Sequence, residues 1–250
     1  MDQLRHLGRP QASGDTTPRY TCIAYDRRES GLSGGKVERG SWATYAHEAK
    51  ALLDLLNIPR AFVLGVCMGC STATAFAVTY PEATLGLVLH WPVGGVKWRQ
   101  NGLERFQRHV NFVKTNGLAA VVDLAREQGS FGAGPDSGPW ASTIVSDSDF
   151  AANFAIQDQD RYLAVVGLMG QMLFDRDTAT GPEPQELMAL KVPAVIIPGS
   201  DASHATSAAR YLQECLVGSV YHDVPVDEQT PDRVRQWIIE FIKTHASVTA

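Results

Sequence analysis

The sequence predicts an α/β fold: a mostly parallel sheet with helices on both faces. Three observations predict it. Short apolar runs of strand length alternate with helix-patterned segments from about residue 20 to residue 243. Runs such as AFVLGV at 61–66 are apolar throughout, as in a strand buried on both faces. One stretch, from about 95 to 188, interrupts the alternation with helical patterns alone.

The elements follow in order. YTCIAYD (20–26) reads as a β-rich strand ending in a carboxylate. SWATYAHEAKALLDLLNI (41–58) reads as a helix with Ser41 as N-cap and Tyr45, Ala49, Leu52, Leu53 and Leu56 on one face. The strand AFVLGV leads into MGCSTATAFAVTY (68–80), a helix stopped by Pro81. LGLVLHW (85–91) and VPAVIIPG (192–199) are further strands, ASHATSAARYLQECL (202–216) is helical, and SVYHDVP (219–225) is strand-like. Thr230 and Pro231 open the last helix, where Val234, Trp237, Ile238, Phe241 and Ile242 are spaced for burial.

This divides the chain into a core of residues 1–94 and 189–250 and an inserted helical lid of residues 95–188. The insertion holds LERFQRHVNFVK, LAAVVDLARE and RYLAVVGLMGQMLF, interrupted by GSFGAGPDSGPW. Such lids exclude water and shape a substrate pocket.

With 44% hydrophobic and 20% charged residues the composition is that of a globular protein, and a net charge of −5 gives no footprint for nucleic acid. No run nears the roughly 18 apolar residues of a membrane span, and MDQLRHLGRP has no signal-peptide core. The four cysteines do not form a secreted disulfide framework, Cys22 and Cys215 standing alone in apolar surroundings. The expectation is a cytoplasmic protein with a small-molecule substrate, no nucleic-acid or membrane partner, no cofactor and no metal. A homodimer is compatible with the sequence.

VLGVCMGCST (63–72) carries the chemistry. Cys67 falls between a strand and a helix, with Gly65 and Gly69 on either side. A nucleophile at a strained strand-to-helix turn needs small neighbours, because a Cβ there would meet the adjoining element. Met68, next in line, offers its N–H at a helix N-terminus, where a developing oxyanion or a thiolate is favoured. Two other readings stand beside this one: Cys67 with Cys70 as a CxxC redox pair, and Cys70 as a small packing residue.

In this context the chain resembles the α/β-hydrolase family. YTCIAYDRRESGLSGG is similar to the family's Y-x-V-I-x-x-D-x-R-G-x-G-x-S, with Glu29 where a glycine usually stands. GVCMGC resembles the G-x-S-x-G-G elbow with cysteine for serine, as in the dienelactone hydrolase branch, and TPDRVRQWIIEFI resembles the C-terminal helix. VPAVIIPGSDASH resembles the strand and loop bearing the family's acid, which implies Asp201. The chain departs from the family twice. The loop VPVDEQTP lacks the histidine of P-x-x-G-H, and RHLGRP is all that stands for the early His-Gly strand that supplies a second oxyanion donor.

His204, three residues after Asp201, is therefore the expected base, and Asp201 alternatively caps the following helix. His90 and Trp91, ending LGLVLHW, are expected at the substrate; His222, Asp227 and Glu228 are further candidates. Two functions follow: a cysteine hydrolase of esters, lactones, thioesters or activated C–C bonds, with Cys67, Asp201 and His204 catalytic and Met68 in the oxyanion hole, or a catalytically altered member that binds a small ligand.

Overall fold

The computed structural model describes residues 20–246. Their order is α1 (Trp42–Leu55), β1 (Ala61–Val66), α2 (Gly69–Thr79), β2 (Thr84–His90), then α3 (Val96–Gln128), α4 (Ala141–Ser146), α5 (Ser148–Ile156), α6 (Gln159–Leu173) and α7 (Pro184–Ala189), followed by β3 (Ala194–Ile197), α8 (Thr206–Cys215), β4 (Val220–Tyr221) and α9 (Pro231–Ala246). The four strands form one parallel sheet in the order β1-β2-β3-β4.

Alternation along the strands sorts the two faces. Leu87 and Leu89 of β2 and Ile196 of β3 pack with Ala73 and Ala77 of α2 and Leu212 of α8. Val88, Val195 and Ile197 face the other way, under Ile238 and Phe241 of α9. Each such side chain contributes about 1.5–3 kcal/mol by leaving water. Helices thus cover both faces, as the apolar runs require.

Registry sets the position of the site. Val66 pairs with His90, and His90 with Ile197, so β1, β2 and β3 end in one row. Cys67, Trp91 and Pro198 leave the sheet side by side. Prolines trim β3 to four residues, because Pro193 and Pro198 flank it and cannot donate to the ladder.

Two expectations are corrected. Residues 20–26 are exposed and form no strand, so β1 is an edge of the described sheet. A β-rich run becomes a strand only with a ladder partner, and among the described residues none pairs with this one. The segment RHLGRP falls outside the described residues. Leu56 is also exposed, since α1 ends at Leu55 and Leu56 is its C-cap. At the other end Ser41 caps as expected, its Oγ accepting from the Thr44 N–H at 3.1 Å.

Between β2 and β3 the described chain is helical, apart from turns and the isolated bridges that Gly94 makes to Ala179 and to His204. α3 breaks at Gly117, whose φ of 80° lies in the left-handed region glycine tolerates. Phe106, Val121, Trp140, Ile144, Tyr162 and Val166 form the core of this helical stretch, which is continuous with Trp42 and Tyr45 of α1. His109 is fully buried within it, bonded through Nε2 to the Tyr162 hydroxyl at 2.6 Å and through Nδ1 to the Asp136 carbonyl at 2.7 Å.

Candidate active site

Cys67 occupies the apex of the turn from β1 to α2 with φ of 55°. A non-glycine residue in that region is strained and persists only where its surroundings fix it. Here the Cys67 N–H donates to the His90 carbonyl at 3.1 Å, and the Cys67 carbonyl accepts from Cys70 at 3.0 Å. Of the two flanking glycines only Gly65 is sterically required. A Cβ there would lie 2.3 Å from the Gly69 carbonyl oxygen, whereas a Cβ on Gly69 would meet nothing within 4 Å. The Met68 N–H has no backbone acceptor among the described residues and opens the N-terminal turn of α2.

Cys70 is fully buried, its thiol turned to the Gly65 and His90 carbonyls at 3.2 and 3.4 Å. Burial, then the neighbouring Cys67, holds its pKa well above the ordinary range. All four cysteines are free thiols, and Cys70 packs as a small protonated residue.

Asp201 and His204 lie in the loop after β3, and four contacts define their pairing. The Asp201 carboxylate accepts the backbone N–H groups of Ser203 (2.8 Å) and His204 (3.0 Å) on Oδ1, and both its oxygens reach His204 Nδ1 at 2.9 and 2.8 Å. Asp201 thus organises the loop and also holds the imidazole. With Nδ1 donating to the carboxylate, Nε2 is left for Cys67. The gap to the sulfur is too long or too bent for a formed hydrogen bond, and Nε2 is buried without a partner among the described residues. The thiol is nevertheless the largest influence on the ring: Cys67 first, then Asp201, lift His204 to about 9 against the opposing effect of burial. Catalytic hydrogen bonds are often long without substrate. Burial raises the Asp201 pKa, but its hydrogen bonds from His204 and the backbone outweigh this and keep it below its ordinary value.

His90 borders the same site. Burial, then the charge of His204, presses it down to about 4, so it is neutral at physiological pH. Trp91 has φ of 54°, and its ring lies 5.6 Å from His204 and 5.5 Å from His90. The other candidates are elsewhere. His222 stacks on Trp237 at 4.1 Å, Asp227 is exposed, and Glu228 pairs with Arg233 at 3.1 Å on the surface. Trp98 and Trp140 pack among the helices against Phe174 and Tyr162. A cleft lined by Arg60, Thr84 and Pro193 lies at the opposite, N-terminal ends of the strands. Among the described residues no group of three His, Cys, Asp or Glu is placed to hold a metal, and no helix is long and apolar enough to cross a membrane.

Residues 4–116 match the family described as alpha/beta hydrolase fold. The chain has the α/β-hydrolase fold. Among solved structures it is similar to an esterase from Rhodococcus sp., with a TM-score of 0.55, 17% identity and coverage of 98% of this chain and 85% of that one. An enol-lactonase from Burkholderia xenovorans gives 0.51, 19%, 86% and 78%. A Bacillus subtilis protein, provisionally named a 2-succinyl-6-hydroxy-2,4-cyclohexadiene-1-carboxylate synthase, is 29% identical over 104 residues, which is 40% of this chain and 37% of that protein. The matched part therefore spans little more than a third of that relative.

The motif P-x-x-G-H makes one residue conspicuous that sequence reasoning passed over. In PVDEQ, Gln229 falls where P-x-x-G-H would place histidine. Its side chain turns inward to the Trp91 indole at 2.8 Å. The spacing marks this position, but glutamine carries no proton-transfer chemistry, whereas its neighbours Asp227 and Glu228 do.

Proposed function

We propose that the protein is a cysteine hydrolase acting on a small ester, lactone or thioester. The Cys67 sulfur attacks the carbonyl carbon as thiolate, with the His204 imidazolium beside it. The Met68 N–H receives the tetrahedral oxyanion. Collapse breaks the bond to the leaving oxygen or sulfur, which takes the Nε2 proton, and leaves an acyl-thioester on Cys67. Water then attacks that ester, giving its proton to neutral His204, and the acid departs as the thiolate reforms. Asp201 holds the ring so that Nε2 faces the sulfur throughout. Helices α3 to α6 act as a lid over this end of the sheet.

One observation carries this reading: a strained Cys67 apex lies beside an Asp201–His204 pair at the same end of three registered strands. A ligand-binding role on the same fold is the second reading, favoured by the loop VPVDEQTP, which carries no histidine. The deciding measurement is hydrolysis of p-nitrophenyl acetate and γ-lactones by wild type, Cys67→Ser and Cys67→Ala. The hydrolase reading expects the alanine variant to lose about 10³-fold or more in kcat, and wild type to accumulate an acyl-enzyme on Cys67 in acid-quenched mass spectra. Equal turnover in the alanine variant would remove Cys67 from the chemistry, whereas saturable lactone binding without turnover in wild type would establish the second reading.

A further inference from the structure

We infer that Gln229 is a positioning residue, which locks Trp91 against His204 and so fixes the imidazole that faces Cys67. The inference rests on the catalytic pair proposed above. Gln229 lies in the loop between β4 and α9, and its amide is fully engaged. Oε1 accepts from the Trp91 indole N–H at 2.8 Å, and Nε2 donates to the Pro198 and Val224 carbonyls, both at 2.9 Å. One donor on the oxygen and two acceptors on the nitrogen leave a single orientation for the amide. The chain ends leaving β2, β3 and β4 are thereby tied through one side chain.

Trp91 needs such a clamp. A bulky residue at φ of 54° costs about 1–3 kcal/mol and holds only if its surroundings over-determine it. Its N–H donates to the Ile197 carbonyl at 2.8 Å, and its ring is fixed at the far end by Gln229. The fit on the other side is close: a Cβ on Gly199 would come within 2.5 Å of the His204 Cβ and 3.3 Å of the Trp91 Cγ. The indole therefore backs the imidazole, with Asp201 bonded to Nδ1 and Cys67 opposite Nε2. An aromatic face beside an imidazolium also favours its charged form. The titratable and charged groups acting on the ring are Cys67, Asp201 and His90, from the elbow, its own loop and β2.

A loop whose usual role in the family is to carry the histidine thus supports one carried elsewhere. Gln229→Met keeps the volume and removes all three hydrogen bonds, and Trp91→Phe keeps a ring without the indole N–H. His204 is followed by NMR titration of its labelled imidazole, and turnover of p-nitrophenyl acetate is read as kcat and KM separately. In Gln229→Met the imidazole pKa is expected to fall by about one pH unit, and kcat by about tenfold with KM nearly unchanged. In a Trp91→Phe background, Gln229→Met is expected to add less than about twofold, because the link is already cut. Should Gln229→Met not fold, the Trp91→Phe titration must show the same fall. An unchanged imidazole pKa in folded Gln229→Met, or fully additive losses in the double variant, would overturn the inference. A shifted imidazole in a protein that hydrolyses nothing would sustain it and refute the hydrolase reading instead.

Discussion

Replacing Asp201 by asparagine separates its two roles. The backbone N–H groups of Ser203 and His204 both donate to Oδ1, and an amide oxygen can accept them equally well, so the loop keeps its turn. Oδ2, 2.8 Å from His204 Nδ1, becomes an NH₂ group. Oδ1 still lies 2.9 Å from Nδ1 but already accepts two backbone N–H groups, so the new NH₂ competes as a donor to Nδ1 and favours the neutral tautomer with its hydrogen on Nε2, toward Cys67. An imidazole in that tautomer cannot accept the proton of a thiol or of attacking water. The imidazolium also loses its carboxylate. Cys67 and Asp201 together lift His204 from 6.5 to about 9. Asp201, with its side chain 55% exposed, is screened by solvent and is the smaller of the two raising causes. In the proposed mechanism the imidazolium is the proton donor of the first step, so the alkaline limb of kcat/KM should stand near 9 in wild type and at lower pH in Asp201→Asn. The maximal rate should fall by about 10²-fold, less than for a buried triad acid because the carboxylate is half in water. Turnover of p-nitrophenyl acetate between pH 5 and 10.5 measures both quantities. A limb that stays near 9 in the variant, with unchanged rate, would refute the assignment of Asp201 to the imidazole.

Three further outcomes follow from the geometry. Gly65→Ala should lose about 2 kcal/mol or more by urea denaturation, because its Cβ would enter the elbow backbone, while Gly69→Ala should be neutral or stabilising by about 0.5–1 kcal/mol. Acid should loosen the helical stretch through His109, which burial presses down to about 4 against the raising effect of the Asp136 carbonyl and charge. The unfolded chain takes the proton first, so stability held above about pH 6.5 falls toward pH 4 by about 3 kcal/mol; His109→Met should be less stable at pH 7, with a flatter acid dependence in urea melts. His204 has the opposite sign: its contribution is complete below about pH 6.5 and is lost as pH rises through about 9, so the melting temperature should drop across that window in wild type and drop less in Asp201→Asn.

β2 and β3 were legible because they are buried runs, with Pro81 stopping the helix before β2 and Pro193 and Pro198 flanking β3. The elbow was legible because strand, small residue and helix N-terminus adjoin in sequence. Residues 20–26 misled for a physical reason: β propensity describes what a residue does in a ladder, and the ladder is a property of the neighbouring strand. Gly69 misled differently, since its spacing matches the motif while the space around it is open. The nearness of Asp201 to His204 could be read from a separation of three residues. The link from Gln229 to Trp91 spans 138 positions, and no local pattern encodes it.

An acid and a base joined by three peptide units cost almost no loop-closure entropy to bring together. The proposed proton-handling pair can therefore assemble once β3 and the turn after it are in place, before the final strand and helix dock. It is also portable: the five residues from Ser200 to His204 hold the whole pair, so it could be moved to another scaffold as one block. In the loop from Pro225 to Thr230 the exposed Asp227 and Glu228 are open to substitution, whereas Gln229 is bound to its place by three hydrogen bonds.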